Sequence, residues 1–243
     1  MPFPSVLPAA QQLLATLATR RQALTSLRGL AQLVYADSQD KGKAKQAVAV
    51  AAPNHFRLEL FSLLGIVSLF TGDGHTLAAY FPKDKVIYRG AATPLNIARF
   101  LRVTLADHQI ASLLLGLPIL PLEGTTGTVR VDTDKGWYRL DLPLPGGGVQ
   151  VLWFDPQTTL LRRWELLDGN GTTVAYMSLA DYREVSGQQF PFEIVLSDIQ
   201  GQQQASILYE KVELNPSLPP SLFTLAPLSG VQEIDIDTVA TVP

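Results

Sequence analysis

Between Ala47 and Leu77 an alternating strand, the turn Pro53-Asn54-His55-Phe56, a bare apolar run and the turn Thr71-Gly72-Asp73-Gly74 follow one another. Phe56, Leu58 and Leu60 alternate with Arg57 and Glu59, which predicts a strand with one buried face. The next stretch, Phe61 to Phe70, carries no charge, and at Leu63-Leu64-Gly65 it is interrupted by a residue that favours a turn or a bulge. Two readings stay open on pattern alone. The run is either a buried hairpin corner or a loop that shows Leu63, Leu64 and Ile66, hinged on Gly65, to something apolar.

Upstream, Leu13, Leu14, Leu17, Leu24 and Leu27 fall on one helical stripe, with Arg20, Arg21 and Gln22 elsewhere. This predicts an amphipathic helix from Ala9 to Arg28, stopped near Gly29. A hairpin follows, Leu30 to Ala36 and Ala47 to Ala52 around Asp37-Ser38-Gln39-Asp40-Lys41-Gly42. Leu77 to Phe81 and Val86 to Arg89 pair around Pro82-Lys83-Asp84-Lys85. Thr93-Pro94 then opens a short helix through Leu101. A second begins near Asp107 and ends at Gly116, with Ile110, Leu113, Leu114 and Leu117 on its apolar side. From Gly124 the text is a meander whose strands, from around Val129 to Leu214, are separated by turns such as Gly146-Gly147-Gly148, Asp168-Gly169-Asn170-Gly171 and Ser186-Gly187. No segment is long enough for parallel crossovers. The expectation is an α+β fold with a single large antiparallel sheet of about eleven strands, wide enough to curl, and helices on its concave face.

The 243 residues suffice for one large β-rich domain without covalent staples, and cysteine is absent. That excludes disulfides, thiolate metal sites and a cysteine nucleophile. His55, His75 and His108 are far apart and stand in no metal-ligand spacing. Gly146-Gly147-Gly148 lacks the Lys-Ser/Thr of a phosphate loop, Asp132-Thr133-Asp134 and Asp235-Ile236-Asp237 lack the spaced ligands of a calcium loop, and no nucleophile signature occurs. The chain reads as a non-enzyme with no catalytic residues, no metal, no cofactor and no nucleic-acid partner.

Charge is unevenly spread. Twelve Lys and Arg stand against six Asp and Glu up to Pro121, about +6, which leaves about −9 for the rest. A basic half beside an apolar loop suits an anionic lipid surface; alternatively, the two halves neutralise each other in the fold. The apolar run Ile110 to Leu122 is broken by Gly116, Pro118 and Pro121 and falls short of a membrane span. Met1-Pro2-Phe3-Pro4 reads either as a start that replaces a removed targeting segment or as a native cytosolic start.

Several short motifs occur in order along the chain. They are Leu27-Arg28-Gly29-Leu30 after the helix, the Pro53-to-Glu59 corner, Gly72-Asp73-Gly74-His75-Thr76-Leu77 with Tyr80 and Pro82, Asp181-Tyr182-Arg183 with Phe190-Pro191, and Leu222-Phe223-Thr224-Leu225-Ala226-Pro227 with Gly230-Val231. In this order the chain resembles the bacterial LolA/LolB lipoprotein-localisation superfamily. The resemblance implies an unclosed half-barrel with helices as a lid, residues 1–243 as one lipid-binding domain with 1–8 and 232–243 as flexible ends, and an apolar cavity for acyl chains of a lipoprotein or another lipid. The cavity residues are then Phe56, Leu58, Leu60, Leu113, Leu114 and Leu117, and the membrane-transfer loop is Leu63, Leu64, Gly65 and Ile66.

In the soluble carriers of that superfamily an arginine before the corner proline latches the lid. Ala52 stands there in this chain. The Leu-Gly loop is similar to that of the outer-membrane receptor, so the resemblance leans to the receptor type: a protein at the periplasmic side of the outer membrane, lipid-anchored through a cysteine upstream of Pro2, taking cargo from a soluble periplasmic carrier. A soluble periplasmic relative is the alternative location, and a ligand-free envelope docking module is the alternative function.

Overall fold

A computed structural model describes residues 7–36, 41–101, 105–119, 126–198 and 204–239. The described strands are β1 (Ser26–Ala36), β2 (Lys41–Ala51), β3 (His55–Ser62), β4 (Gly65–Asp73), β5 (Thr76–Phe81), β6 (Val86–Ala91), β7 (Thr128–Asp132), β8 (Trp137–Pro143), β9 (Val149–Phe154), β10 (Leu161–Leu167), β11 (Thr173–Val185), β12 (Gln188–Asp198), β13 (Gln204–Leu214) and β14 (Gln232–Asp235). They form one 14-stranded sheet in the order β14-β6-β5-β4-β3-β2-β1-β13-β12-β11-β10-β9-β8-β7. Sequential strands pair antiparallel within β1–β6 and within β7–β13, β1 joins the two runs by pairing with β13, and among the described strands only β14 runs parallel to its neighbour, β6. Among the described residues the sheet is unclosed: β7 and β14 are its two edges.

Three helices, α1 (Ala10–Ala23), α2 (Pro94–Leu101) and α3 (Asp107–Leu114), cover the inner, concave face. One apolar core joins Leu13 and Leu17 of α1, Ile97 of α2 and Ile110, Leu113 and Leu114 of α3 to the inward side chains of the strands. The strands alternate as expected: Phe56 and Leu58 face in, while Arg57 and Glu59 form an ion pair on the outer face. Thr93 caps α2 by accepting the Asn96 N–H at 3.2 Å, with Pro94 at the first helical position.

The α+β half-barrel is the expected architecture, but three elements differ from the sequence reading. The first helix stops at Ala23 rather than Arg28. Leu24 and Leu27 are fully buried all the same, because the chain turns through Thr25 and β1 carries Leu27 into the same core. Over so few residues a helical stripe and an inward-facing strand position look alike. The uncharged run resolves into the end of β3, a two-residue turn and β4, which adds a strand. Gln232–Asp235, read as part of a loose C-terminal end, is β14, and the buried Ile236 follows it. Residues 1–6 and 240–243 of the expected flexible ends lie outside the described residues, as does most of the Asp37-to-Gly42 turn.

Candidate functional site

The inner apolar surface is assembled from β3 outward. Phe56 pairs with Val50 of β2 and Gly72 of β4. The glycine is required there, since a Cβ would stand 2.4 Å from the Phe56 ring. Leu58 pairs with Val48 and Phe70. Leu60 pairs with Gln46 and Ser68 at the half-buried margin of the same face. Above them Leu113 and Leu114 of α3 and the following Leu117 are buried in the same core, so the six residues expected to bind lipid are brought together between sheet and helices. The Tyr209 hydroxyl donates to the Leu114 carbonyl at 2.9 Å, and complete burial pushes its pKa up. Gly116, at φ +64°, lets the chain leave α3 against Pro191.

α1 is fastened to this layer by two arginines. Arg20 lies over the Tyr182 ring at 5.6 Å, and Arg162 lies over the same ring at 5.5 Å. The Tyr182 hydroxyl donates to the Leu161 carbonyl at 2.6 Å, and burial pushes its pKa up to about 12. Burial likewise lowers the pKa of Arg20, whose Nη2 is buried without a hydrogen-bond partner among the described residues. Arg21 donates to the Pro118 carbonyl at 3.1 Å and so ties α1 to the segment after α3. Sequence reading placed Arg20 and Arg21 only off the leucine stripe. Tyr182 entered as a motif letter; nothing local signals that two arginines from distant segments share its ring.

The second set of expected residues forms a projecting hairpin tip. Ser62 of β3 pairs with Gly65 of β4, leaving Leu63-Leu64 as the turn. The Leu64 N–H donates to Ser62 Oγ at 3.1 Å, and Gly65 has φ +117° with nothing within 4 Å of a Cβ there. Leu63 and Leu64 are 106% and 99% exposed, and Ile66 and Val67 are exposed too, whereas Ser68 to Thr71 are buried. The corner reading therefore fails for the tip and holds only for the inner half of β4.

The outer face is crossed by the C-terminal segment. Arg57 donates to the Leu222 carbonyl at 3.2 Å, Phe223 is buried edge-on to His55, and Arg89 donates to the Leu225 carbonyl at 2.8 Å. Arg99 donates to the Ile236 carbonyl at 2.6 Å, and Asp237 accepts from the Ala91 N–H at 2.9 Å and the Asn96 amide at 2.6 Å. Beside this strap an open groove of about 460 Å³ runs over β1 and β2, with Leu30, Ala47 and Ala49 in its floor and Arg28, Arg57 and Glu213 at its rim. The two halves of the chain do neutralise each other in part: Arg28 pairs with Glu213, Lys45 with Glu210 and Arg89 with Glu233. No helix among the described residues is long and apolar enough to cross a membrane.

The fold is similar to that of solved LolA superfamily structures. The chain is similar to a LolA superfamily protein from Nitrosomonas europaea, at 14% identity and TM-score 0.60 over 90% of this chain and 99% of that one. It is also similar to a putative outer membrane lipoprotein-sorting protein domain from Vibrio parahaemolyticus, at 12% identity and TM-score 0.61 over 87% and 94%. A DUF1329 family protein from Desulfovibrio piger aligns at 11% identity and TM-score 0.64 over 90% and 98%. A family model described only as an uncharacterized protein matches residues 148–230, and no curated protein matches the sequence.

Proposed function

We propose that this chain is a non-catalytic lipid-binding protein of the LolA/LolB type. It takes the acyl chains of a lipoprotein or another lipid between the inner face of the sheet and α1 and α3, and it releases them at the outer membrane through the Leu63–Leu64 tip. The observation that carries this reading is the tip itself. Two leucines stand fully in solvent at the end of a hairpin whose own turn bonds hold them there, an arrangement that gains nothing for folding. Entry into hydrocarbon contributes about 1.5–3 kcal/mol for each.

The cargo energetics require the helices to compete with the ligand. An acyl chain of about fourteen to sixteen carbons, buried at ~0.8 kcal/mol per CH₂, gains on the order of 11–13 kcal/mol before binding costs. Left unopposed, that gain would trap the cargo. Leu13, Leu17, Leu113, Leu114 and Leu117 fill the inner face when no ligand is bound, and cargo must displace them. With Ala52 in place of the carrier's latch arginine, the Arg20–Tyr182 stack and the Arg21–Pro118 bond are the contacts that opening breaks. The protein then acts on the periplasmic side of the outer membrane, receiving cargo from a soluble carrier; a soluble periplasmic form is the variant of this reading.

A second reading, a protein-docking module, is favoured by the groove over β1 and β2. Titration of delipidated protein with an environment-sensitive fluorescent fatty acid separates the two. Saturable binding that palmitate displaces is expected of the lipid reading; no saturable signal, with the fold intact, supports the docking module.

A further inference from the structure

Three hairpins end side by side at the corner of the sheet that bears the leucine tip. Lys45 of β2 pairs with Phe61 of β3, so continuing that register sets Lys43 level with Leu63. On the other flank Leu69 of β4 pairs with Tyr80 of β5, so Pro82 to Lys85, the turn between β5 and β6, lies level with Gly65 to Val67. Lys43, Lys83 and Lys85 are all exposed, and none has an ion-pair partner among the described residues. Lys45, the next outward-facing lysine of β2, is bound to Glu210, and Asp84 is the acidic residue of the β5–β6 turn. The sequence also puts Asp37 and Asp40 in the connection of β1 to β2, outside the described residues.

We infer that the leucine tip and its flanking lysines form one docking edge for a bilayer that carries anionic headgroups. The inference rests on the membrane-tip reading above and adds the chemistry of the surface recognised. Leu63 and Leu64 cannot reach hydrocarbon without carrying Lys43 on one side and Lys83 and Lys85 on the other to the depth of the headgroups. Insertion of two leucines buries less apolar surface than a single myristoyl chain, which itself binds membranes only marginally, so stable attachment takes a second signal. Lysines near an anionic surface supply such a signal, about fivefold in affinity for each, and salt removes it. Arg28 and Lys45 on the same face are paired with Glu213 and Glu210, whereas the three lysines that bracket the tip keep their charge unpaired among the described residues. Positive charge bracketing an apolar wedge is complementary to phosphate over acyl chains.

The test is flotation of the full chain with vesicles of phosphatidylcholine alone and of phosphatidylcholine with about a third phosphatidylglycerol, at low and high salt. Wild-type protein is expected to bind the anionic vesicles tens-fold more tightly at low salt and to lose most of that preference at high salt. The triple variant Lys43→Gln/Lys83→Gln/Lys85→Gln should keep its binding to neutral vesicles and lose the preference; its thermal melt should not move, because all three side chains are exposed. Leu64→Glu should weaken binding to both. If wild type binds both compositions alike, or the triple variant retains the preference, the lysine inference is overturned while the tip reading stands. Binding to neither composition overturns both.

Discussion

Replacing Leu64 by glutamate separates a membrane tip from a structural turn most sharply. The side chain is 99% exposed and its backbone N–H is already held by Ser62, so folding has little to lose. Exposed substitutions of this kind change stability by about 0.5 kcal/mol or less. Function has much more to lose. Forfeiting the transfer of one leucine into hydrocarbon, ~1.5–3 kcal/mol, lowers the occupancy of the inserted state by about 10- to 150-fold, and a carboxylate at the tip opposes insertion further. The assay loads purified protein with a fluorescent diacyl lipid and follows its appearance in acceptor vesicles, beside urea unfolding of the same variant. An unchanged urea midpoint with transfer slowed at least tenfold is the expected pair of results. A stability loss of several kcal/mol, or transfer at the wild-type rate, refutes the reasoning.

Other expectations test the surrounding structure. In a double-mutant cycle, Arg20→Met and Tyr182→Leu should couple by about 1–2 kcal/mol in urea unfolding, since the ring and guanidinium meet largely out of water; additive effects would show that the stack does not fasten α1. Arg20→Met should also tighten binding of the fluorescent fatty acid, because the ligand-free closed state that competes with cargo loses a contact; unchanged or weaker binding would count against that competition. Leu60→Trp, at the half-buried margin of the inner face, should reduce the stoichiometry of fatty-acid binding at a stability cost of about 1–3 kcal/mol; undiminished binding would move the cargo elsewhere. The Ala91 N–H and then the Asn96 amide hold the Asp237 carboxyl below the usual carboxylate range. The contribution of the strap is therefore complete above the unfolded value near 4 and is lost as pH falls through the lower folded value. Amide exchange over Gln232–Ile236 should rise only below that range, and Asp237→Asn should raise it already at neutral pH. Equal exchange in variant and wild type would count against the strap.

Much of this architecture was legible because sheet meanders write themselves plainly. Alternation at Phe56, Leu58 and Leu60, glycine and aspartate turns, and the Thr93-Pro94 helix start are local signals with local causes. The tip was half legible: absence of charge marked Phe61 to Phe70 as unusual, yet composition cannot say which half of an apolar run is buried. Register decides that, with Ser62 opposite Gly65 throwing Leu63 and Leu64 out and Leu69 and Phe70 pairing back into the sheet. β14 was illegible for a different reason. Gln232–Asp235 is too short and polar to read as a strand, and it forms because Arg89, Arg99 and Asn96, far away in the chain, supply its partners. The lysines beside the tip are of the same kind, since Lys43 and Lys83 come level with the end of the β3–β4 hairpin only through strand order.

The claim that the space between sheet and helices carries acyl chains is tested most directly by what the protein holds when it is isolated. An organic-solvent extract of protein purified without detergent from bacterial cells, analysed by mass spectrometry, is expected to contain acyl-chain lipids in a fixed proportion to protein, diminished in Leu60→Trp. An extract containing no lipid above that of an unrelated protein prepared in parallel, from a chain that also takes up none on incubation with vesicles, would contradict the account.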